Sequence, residues 1–296
     1  GSGRSHVPMI PAEKLELPLV RLPPQQGPAA PAARELHVAG VTPFTTIDFP
    51  GRLSAVVFVQ GCPWRCHYCH NPHIQTRTSA PAQAWPDTLA WLARRTGLID
   101  AVVFSGGEPT VDSALPEAMR AVRALGFAVG LHTAGIYPQR LHQVLPLVDW
   151  VGFDVKAPLD DAQAYSRITA RSNACGQVAR SLEYMLAAGV AYEVRTTIHP
   201  DWLGEEDLAR LAAGLERSGV SRWVLQKARP VGGVRGLQRQ KIFHANRCWM
   251  IGSAASLRLR CEVMSEARTG LVGNDHSLPC PCIHAVPEIL GKVAKT

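Results

Sequence analysis

Six short apolar runs recur along the chain: LSAVVFVQ at 53–60, AVVFSGG at 101–107, FAVGLHT at 127–133, WVGFDVKA at 150–157, AYEVRTTI at 191–198 and RWVLQ at 222–226. Each has the length and β-branched content of a strand. Between them, apolar residues fall at helical spacing over Thr88 to Thr96, Leu115 to Leu125, Gln139 to Val148, Gln177 to Ala188 and Glu205 to Ser218. Strands that alternate with helices pair in parallel, because the helix carries the chain back to the same end of the sheet. Their continuous apolar character requires cover on both faces. A doubly wound sheet and a full or partial (β/α) barrel both satisfy this pattern. Polar residues collect at the C-terminal ends of the runs: Cys62, Ser105 to Glu108, His132 and Thr133, Asp154 and Lys156, Thr197 and His199. In such folds that rim binds the ligand.

The segments outside the alternation read differently. Gly1 to Pro8 resembles a tag remnant with a native start at Met9, and Pro11 to Ala33 is rich in proline and alanine without periodicity. Residues 1–35 are therefore expected to be a leader, 36–228 the core, and 229–296 an extension covering or closing the rim. GVTPFTTIDFPGR, before the first run, carries the Pro, Gly and Asp punctuation of a short hairpin. In the extension the pattern predicts a Gly-rich loop (PVGGVRG), a helix from about Gln238 to Ala255, a strand LRLRCEV and a polar tail.

A hydrophobic fraction of 46% and a charged fraction of 19% describe a globular protein. No run reaches the roughly 18 apolar residues of a membrane helix, and no secretory signal is visible, so a cytoplasmic location without membrane contact is expected. The net charge of +7 is spread without a basic block or interleaved aromatics, which argues against a nucleic-acid groove.

Eight cysteines in such a chain read as metal ligands or free thiols rather than a disulfide framework. Three of them stand in Cys62-Pro63-Trp64-Arg65-Cys66-His67-Tyr68-Cys69, directly after the first strand. Soft thiolates select an iron–sulfur cluster or zinc, and zinc would take a fourth ligand such as His67, His70 or His73. With three cysteines on a four-iron cluster, one iron is left open to a substrate. Ser105-Gly106-Gly107-Glu108-Pro109 lets the backbone approach a ligand closely, since two side chains are missing at a strand end. Asp154-Val155-Lys156 puts two charges on one face of an apolar strand, where they must meet a polar cavity or each other.

Together, CxxxCxYC after a strand and the downstream SGGEP resemble the radical S-adenosylmethionine (SAM) superfamily. The resemblance implies a partial (β/α)6 barrel of TIM type, a 4Fe-4S cluster on Cys62, Cys66 and Cys69, and bound SAM. It further implies Tyr68 along the adenine, and Gly106, Gly107 and Glu108 at the amino group. GVTPFTTIDFPGR, CHNP, Thr133-Ala134-Gly135, DVK and RTTIHP are similar to the activases of glycyl radical enzymes, in particular those of anaerobic ribonucleotide reductase. In that group Asp154 and Lys156 would hold the ribose and methionine parts of SAM, and Thr133 and His199 stand on the same rim. The partners implied are a glycyl radical enzyme and a flavodoxin- or ferredoxin-type electron donor. His132 departs from an acidic residue that related activases place there for a cation, so no cation site is carried over.

Other candidates at the rim are Asn173, Arg195 and Gln226. Cys175, Cys248 and Cys261 read as buried thiols, whereas Cys280 and Cys282 could hold a second metal or form a redox pair. Two alternatives stay open: a radical SAM enzyme that modifies a small molecule or peptide, and a zinc-stabilised binding module.

Overall fold

The computed structural model describes residues 35–199, 201–228, 245–251 and 258–263. Within them the strands are β1 (Val38–Thr45), β2 (Ser54–Val59), β3 (Ala101–Gly106), β4 (Ala128–Thr133), β5 (Trp150–Asp154), β6 (Ala191–Ile198), β7 (Arg222–Lys227), β8 (Ala245–Ile251) and β9 (Arg258–Val263). They form one sheet whose spatial order is the order of the chain, ending on β1 and β9 rather than closing. Strands β2 to β7 pair in parallel, each with the next. β1 is antiparallel to β2, and β8 and β9 add antiparallel strands beyond β7. The expected partial (β/α)6 barrel is therefore the observed fold.

Six helices supply the crossovers: α1 (Trp85–Ala93), α2 (Leu115–Ala124), α3 (Pro138–Val144), α4 (Ala162–Thr169), α5 (Ala174–Ala187) and α6 (Glu205–Arg217). Pro86, Pro116 and Pro138 open the first turns of α1, α2 and α3, where a missing N–H costs nothing. The Asp161 carboxylate accepts the Ala164 N–H at 2.8 Å and starts α4, a helix the sequence pattern does not suggest.

Because strand side chains alternate, the sheet has two cores. Val57, Phe104, Leu131, Val151 and Val194 face outward and pack with Leu92, Met119, Leu141, Leu182 and Leu211 of the helices. Each such buried side chain contributes roughly 1.5–3 kcal/mol. Val56, Ala101, Val103 and Trp150 face inward, where Phe49 joins them from the segment between β1 and β2. The expected hairpin thus exists, and its connecting turn forms a floor inside the barrel. Phe49 sits 5.4 Å from Trp150, centroid to centroid.

One expectation is corrected. The helix predicted from Gln238 to Ala255 is strand β8 over Ala245–Ile251. The edge of β7 presents unpaired N–H and C=O groups, and an antiparallel strand satisfies a row of them. LRLRCEV is a strand as expected, and places Cys261 opposite Cys248 in the β8/β9 register. The leader through residue 34, the PVGGVRG loop, Cys280 and Cys282 lie outside the described residues. Among the described residues no helix is long and apolar enough to cross a membrane.

Candidate active site

The C-terminal ends of β2 to β6 surround a cavity of about 410 Å³. Cys62, Cys66, Tyr68 and Cys69 line it from the loop after β2, and Gly106, Gly107 and Glu108 from the end of β3. Thr133 enters from β4, Asp154 and Lys156 from the end of β5, and Arg195 from β6. Five βα connections thus converge, so residues far apart in sequence meet at one rim.

The cysteine loop is held by its own backbone. Gly61 and Cys62 donate N–H bonds to the carbonyls of Ile74 and Gln75, both at 2.9 Å. On the other side Arg65 and His67 donate to Thr169 and Ile168, at 2.9 and 3.3 Å, at the end of α4. The His67 ring stacks on Trp202 at 4.3 Å, and Tyr68 on His199 at 6.1 Å. Cys62, Cys66 and Cys69 are all free and partly buried. Burial pushes the Cys62 thiol up to about 12, with the Glu108 charge adding to it, so a thiolate here calls for a cationic partner.

Glycines shape the opposite wall. A β-carbon on Gly107 would collide with the Gly61 carbonyl oxygen and come within 3.2 Å of Cβ of Cys62. Gly106 has φ of +117°, a conformation that glycine alone adopts without strain. The end of β3 therefore lies directly against the start of the cysteine loop. Three soft donors on one short loop, facing one cavity across bare backbone, fit an iron–sulfur cluster. Among the described residues no three His, Cys, Asp or Glu side chains are gathered as chelators of a single ion.

Glu108 is turned inward. One oxygen accepts from the hydroxyls of Thr110 (2.6 Å) and Thr133 (2.7 Å) and from the Thr110 N–H (3.2 Å); the other accepts from the Ala134 N–H at 2.9 Å. Its burial raises the carboxyl pKa, against the pull of these bonds. Glu108 and Thr133 thus join the ends of β3 and β4.

β5 ends at Asp154, so Lys156 lies just beyond the strand, and both still face the cavity. Asp154 stands between Lys156 Nζ at 3.4 Å and Arg195 Nε at 3.1 Å. Although burial opposes its charge, these two cations hold the Asp154 carboxyl below the usual range. Arg195 also donates to the Gly152 carbonyl at 3.0 Å. His132 donates its Nε2–H to the Asp48 carbonyl at 2.9 Å, fixing the turn that carries Phe49. Burial and the nearby Arg195 push the His132 pKa down to about 3, so its ring is neutral.

Of the sequence-predicted ligand positions, His199 alone is absent from the cavity lining: its Nδ1 accepts the Asp201 N–H at 3.3 Å, and its ring backs Tyr68. The Tyr68 hydroxyl is buried without a hydrogen-bond partner. Asn173 stands at the N-cap position of α5 with φ of 58°, without a side-chain capping bond, and lies off the cavity, whereas Gln226 lines it. Ile47 and Asp48 also line it, and no spacing in the sequence signals that, because the turn reaches them there. Cys175 packs against the core as a free, partly buried thiol.

Residues 56–212 match the Radical SAM superfamily. A protein of Methanocaldococcus jannaschii described as a glycyl-radical enzyme activating enzyme is 29% identical over 181 residues, covering 59% of this chain and 73% of that one. The pyruvate formate-lyase-activating enzyme of Clostridium pasteurianum is 30% identical over 176 residues, or 56% of this chain and 70% of that one. Among solved structures, Streptococcus suis SuiB bound to its precursor peptide SuiA superposes with a TM-score of 0.52 at 14% identity. That match covers 64% of this chain and 42% of SuiB, and is a likeness of fold.

Proposed function

Because the chain belongs to the radical SAM superfamily, we propose that Cys62, Cys66 and Cys69 hold a 4Fe-4S cluster beside bound SAM, and that this enzyme installs a glycyl radical in a partner protein. The observation that carries this reading is the convergence of the three thiols, Gly106, Gly107, Asp154 and Lys156 on one cavity. When bound, the cluster supplies the electron that splits SAM into methionine and a 5′-deoxyadenosyl radical, which removes a hydrogen from a glycine α-carbon.

The chain's own residues bind and orient. Lys156 offers its ammonium to the SAM carboxylate, and Asp154 its oxygens to ribose hydroxyls. Gly106 and Gly107 let main-chain groups reach the amino end, while Glu108 fixes the shape of that edge through Thr133 and Ala134. Tyr68, backed by His199, gives the adenine a flat surface. Phe49 and Trp150 exclude water from below, which protects a reactive intermediate.

The resemblance to activating enzymes supports a glycyl radical enzyme as partner; we take anaerobic ribonucleotide reductase as its identity from the GVTPFTTIDFPGR, CHNP and RTTIHP motifs, and a flavodoxin or ferredoxin as electron source. Reduced thiols and such a donor belong to a cytoplasmic setting.

The test is anaerobic reconstitution followed by dithionite and SAM, in wild type and Cys66→Ala. Bound iron with 5′-deoxyadenosine in wild type, and neither in the variant, is expected. Mixing with anaerobic ribonucleotide reductase should then give a glycyl-radical doublet in the electron paramagnetic resonance spectrum. Iron-free, SAM-inert protein would overturn the reading. A doublet with pyruvate formate-lyase but none with the reductase would overturn the choice of partner.

A further inference from the structure

The connection after β3 carries a second buried carboxylate. Asp112 follows Glu108 closely in the chain, its side chain is 1% exposed, and no spacing in the sequence marks it. Its Oδ2 accepts the His37 N–H at 2.9 Å, just before β1, and meets Nη2 of Arg77 at 3.0 Å. Its Oδ1 accepts the N–H of Ala114, the N-cap of α2, at 3.0 Å.

Arg77 belongs to the segment by which the chain returns from the cysteine loop. That segment runs beside the residues leading into the loop, since Ile74 and Gln75 accept from Gly61 and Cys62. One step further out, the Gln60 carboxamide oxygen accepts the Thr78 hydroxyl at 2.9 Å and its N–H at 3.4 Å. A β-carbon on Gly61 would lie 3.6 Å from Cβ of Arg77 and 3.8 Å from its Cδ, so the arginine stem crosses bare backbone next to Cys62. From the other side the Glu108 N–H reaches the Gly61 carbonyl at 2.9 Å.

We propose that Asp112 is a positioning residue: through Arg77 it sets where the base of the cysteine loop, and Cys62 with it, stands against Gly106 and Gly107. The proposal deepens the reading above and rests on it, since the placing matters if the thiols hold a cluster beside SAM. A buried carboxylate demands its cation, because removing one partner leaves an uncompensated charge, and the pair therefore admits one register where apolar side chains would slide. Replacing a group that orients a metal ligand from outside costs about 10–100-fold in metal affinity or activity.

The first readout needs no cofactor. In the iron-free full chain, iodoacetamide labelling of Cys62 is followed by peptide mass spectrometry beside that of Cys175, a partly buried thiol on α5. Arg77 is 35% exposed, so its replacement leaves the core intact. Arg77→Gln should speed labelling of Cys62 about tenfold and leave Cys175 within about twofold, whereas Arg77→Lys, which keeps the cation, should match wild type at both. Asp112→Asn should follow Arg77→Gln in direction. The second readout is the change SAM makes in the electron paramagnetic resonance spectrum of the reconstituted, reduced protein. The SAM concentration for half of that change should rise about tenfold in Arg77→Gln and hold in Arg77→Lys. Equal acceleration at Cys62 and Cys175 would mean a general loosening of the fold and overturn the proposal. So would wild-type labelling in Arg77→Gln, or an iron-loaded Arg77→Gln protein with the wild-type response to SAM. Wild type that takes up no iron would overturn the underlying reading, and with it the placing of thiols toward SAM, whatever the labelling shows.

Discussion

A β-carbon at Gly152 would lie 2.5 Å from Cζ of Arg195. The guanidinium occupies the space where β5 has no side chain, between the ring of Trp150 and the carboxylate of Asp154. Gly152 thereby decides where a buried cation of the cavity sits.

Gly152→Ala is therefore expected to displace Arg195, break its bonds to Asp154 and the Gly152 carbonyl, and destabilise the fold by about 1–3 kcal/mol. SAM affinity should fall as well, because Asp154 loses one of its two cationic neighbours. Urea denaturation of Gly152→Ala, Arg195→Met and the double variant checks this. Removing the guanidinium first should make the added methyl less costly, so the two effects should be clearly less than additive.

Two other glycines should respond in opposite directions. Gly107→Ala would drive a methyl group into the Gly61 carbonyl and separate the end of β3 from the cysteine loop, so the variant should lose iron on reconstitution and unfold earlier. Gly176 lies within α5, where an added methyl would have nothing within 4 Å, and Gly176→Ala should stabilise by about 0.5–1 kcal/mol. Thermal unfolding and iron content measured side by side would test both. A Gly107→Ala protein with full iron content would contradict the close approach described for that wall.

The six parallel strands are legible because each is a short apolar run closed by polar residues, and burial on two faces leaves little other use for such a run. The cysteine loop and the glycine pair are legible because their chemistry depends on local spacing. α4 escapes the pattern although Asp161 marks its start, because a helix of eight residues offers barely two turns of periodicity. Periodicity also fails at Ala245–Ile251, where Cys-Trp-Met-Ile is equally apolar on either period and the free edge of β7 decides the outcome. The seat of Arg195 and the bond from His132 to Asp48 leave no trace in the sequence, since each depends on which side chains the barrel brings face to face.

His132 makes the fold acid-sensitive. Its pKa is depressed from 6.5 to about 3, so between those values the unfolded chain binds a proton that the folded one refuses. Stability should thus be constant above pH 6.5 on this account and fall as the pH drops toward 3. Asp154, with its own pKa held below the ordinary carboxylate value, adds a further loss at the acid end. His132→Gln should flatten the decline between about pH 6.5 and 4, measured as the shift of the urea midpoint, while the Asp154 contribution persists below it. An identical slope in the variant would show that the imidazole is not the group responsible.

Spatial order and chain order coincide throughout the sheet. Every strand from β2 onward therefore pairs with one that has already left the ribosome, and the barrel can grow at a single edge as translation proceeds. Chemical competence arrives later than shape. The thiols of the cysteine loop emerge first, but Arg195 and Gln226, on the far side of the same cavity, follow more than a hundred residues behind. Throughout that interval a nascent chain displays three closely spaced cysteines without the wall that encloses them.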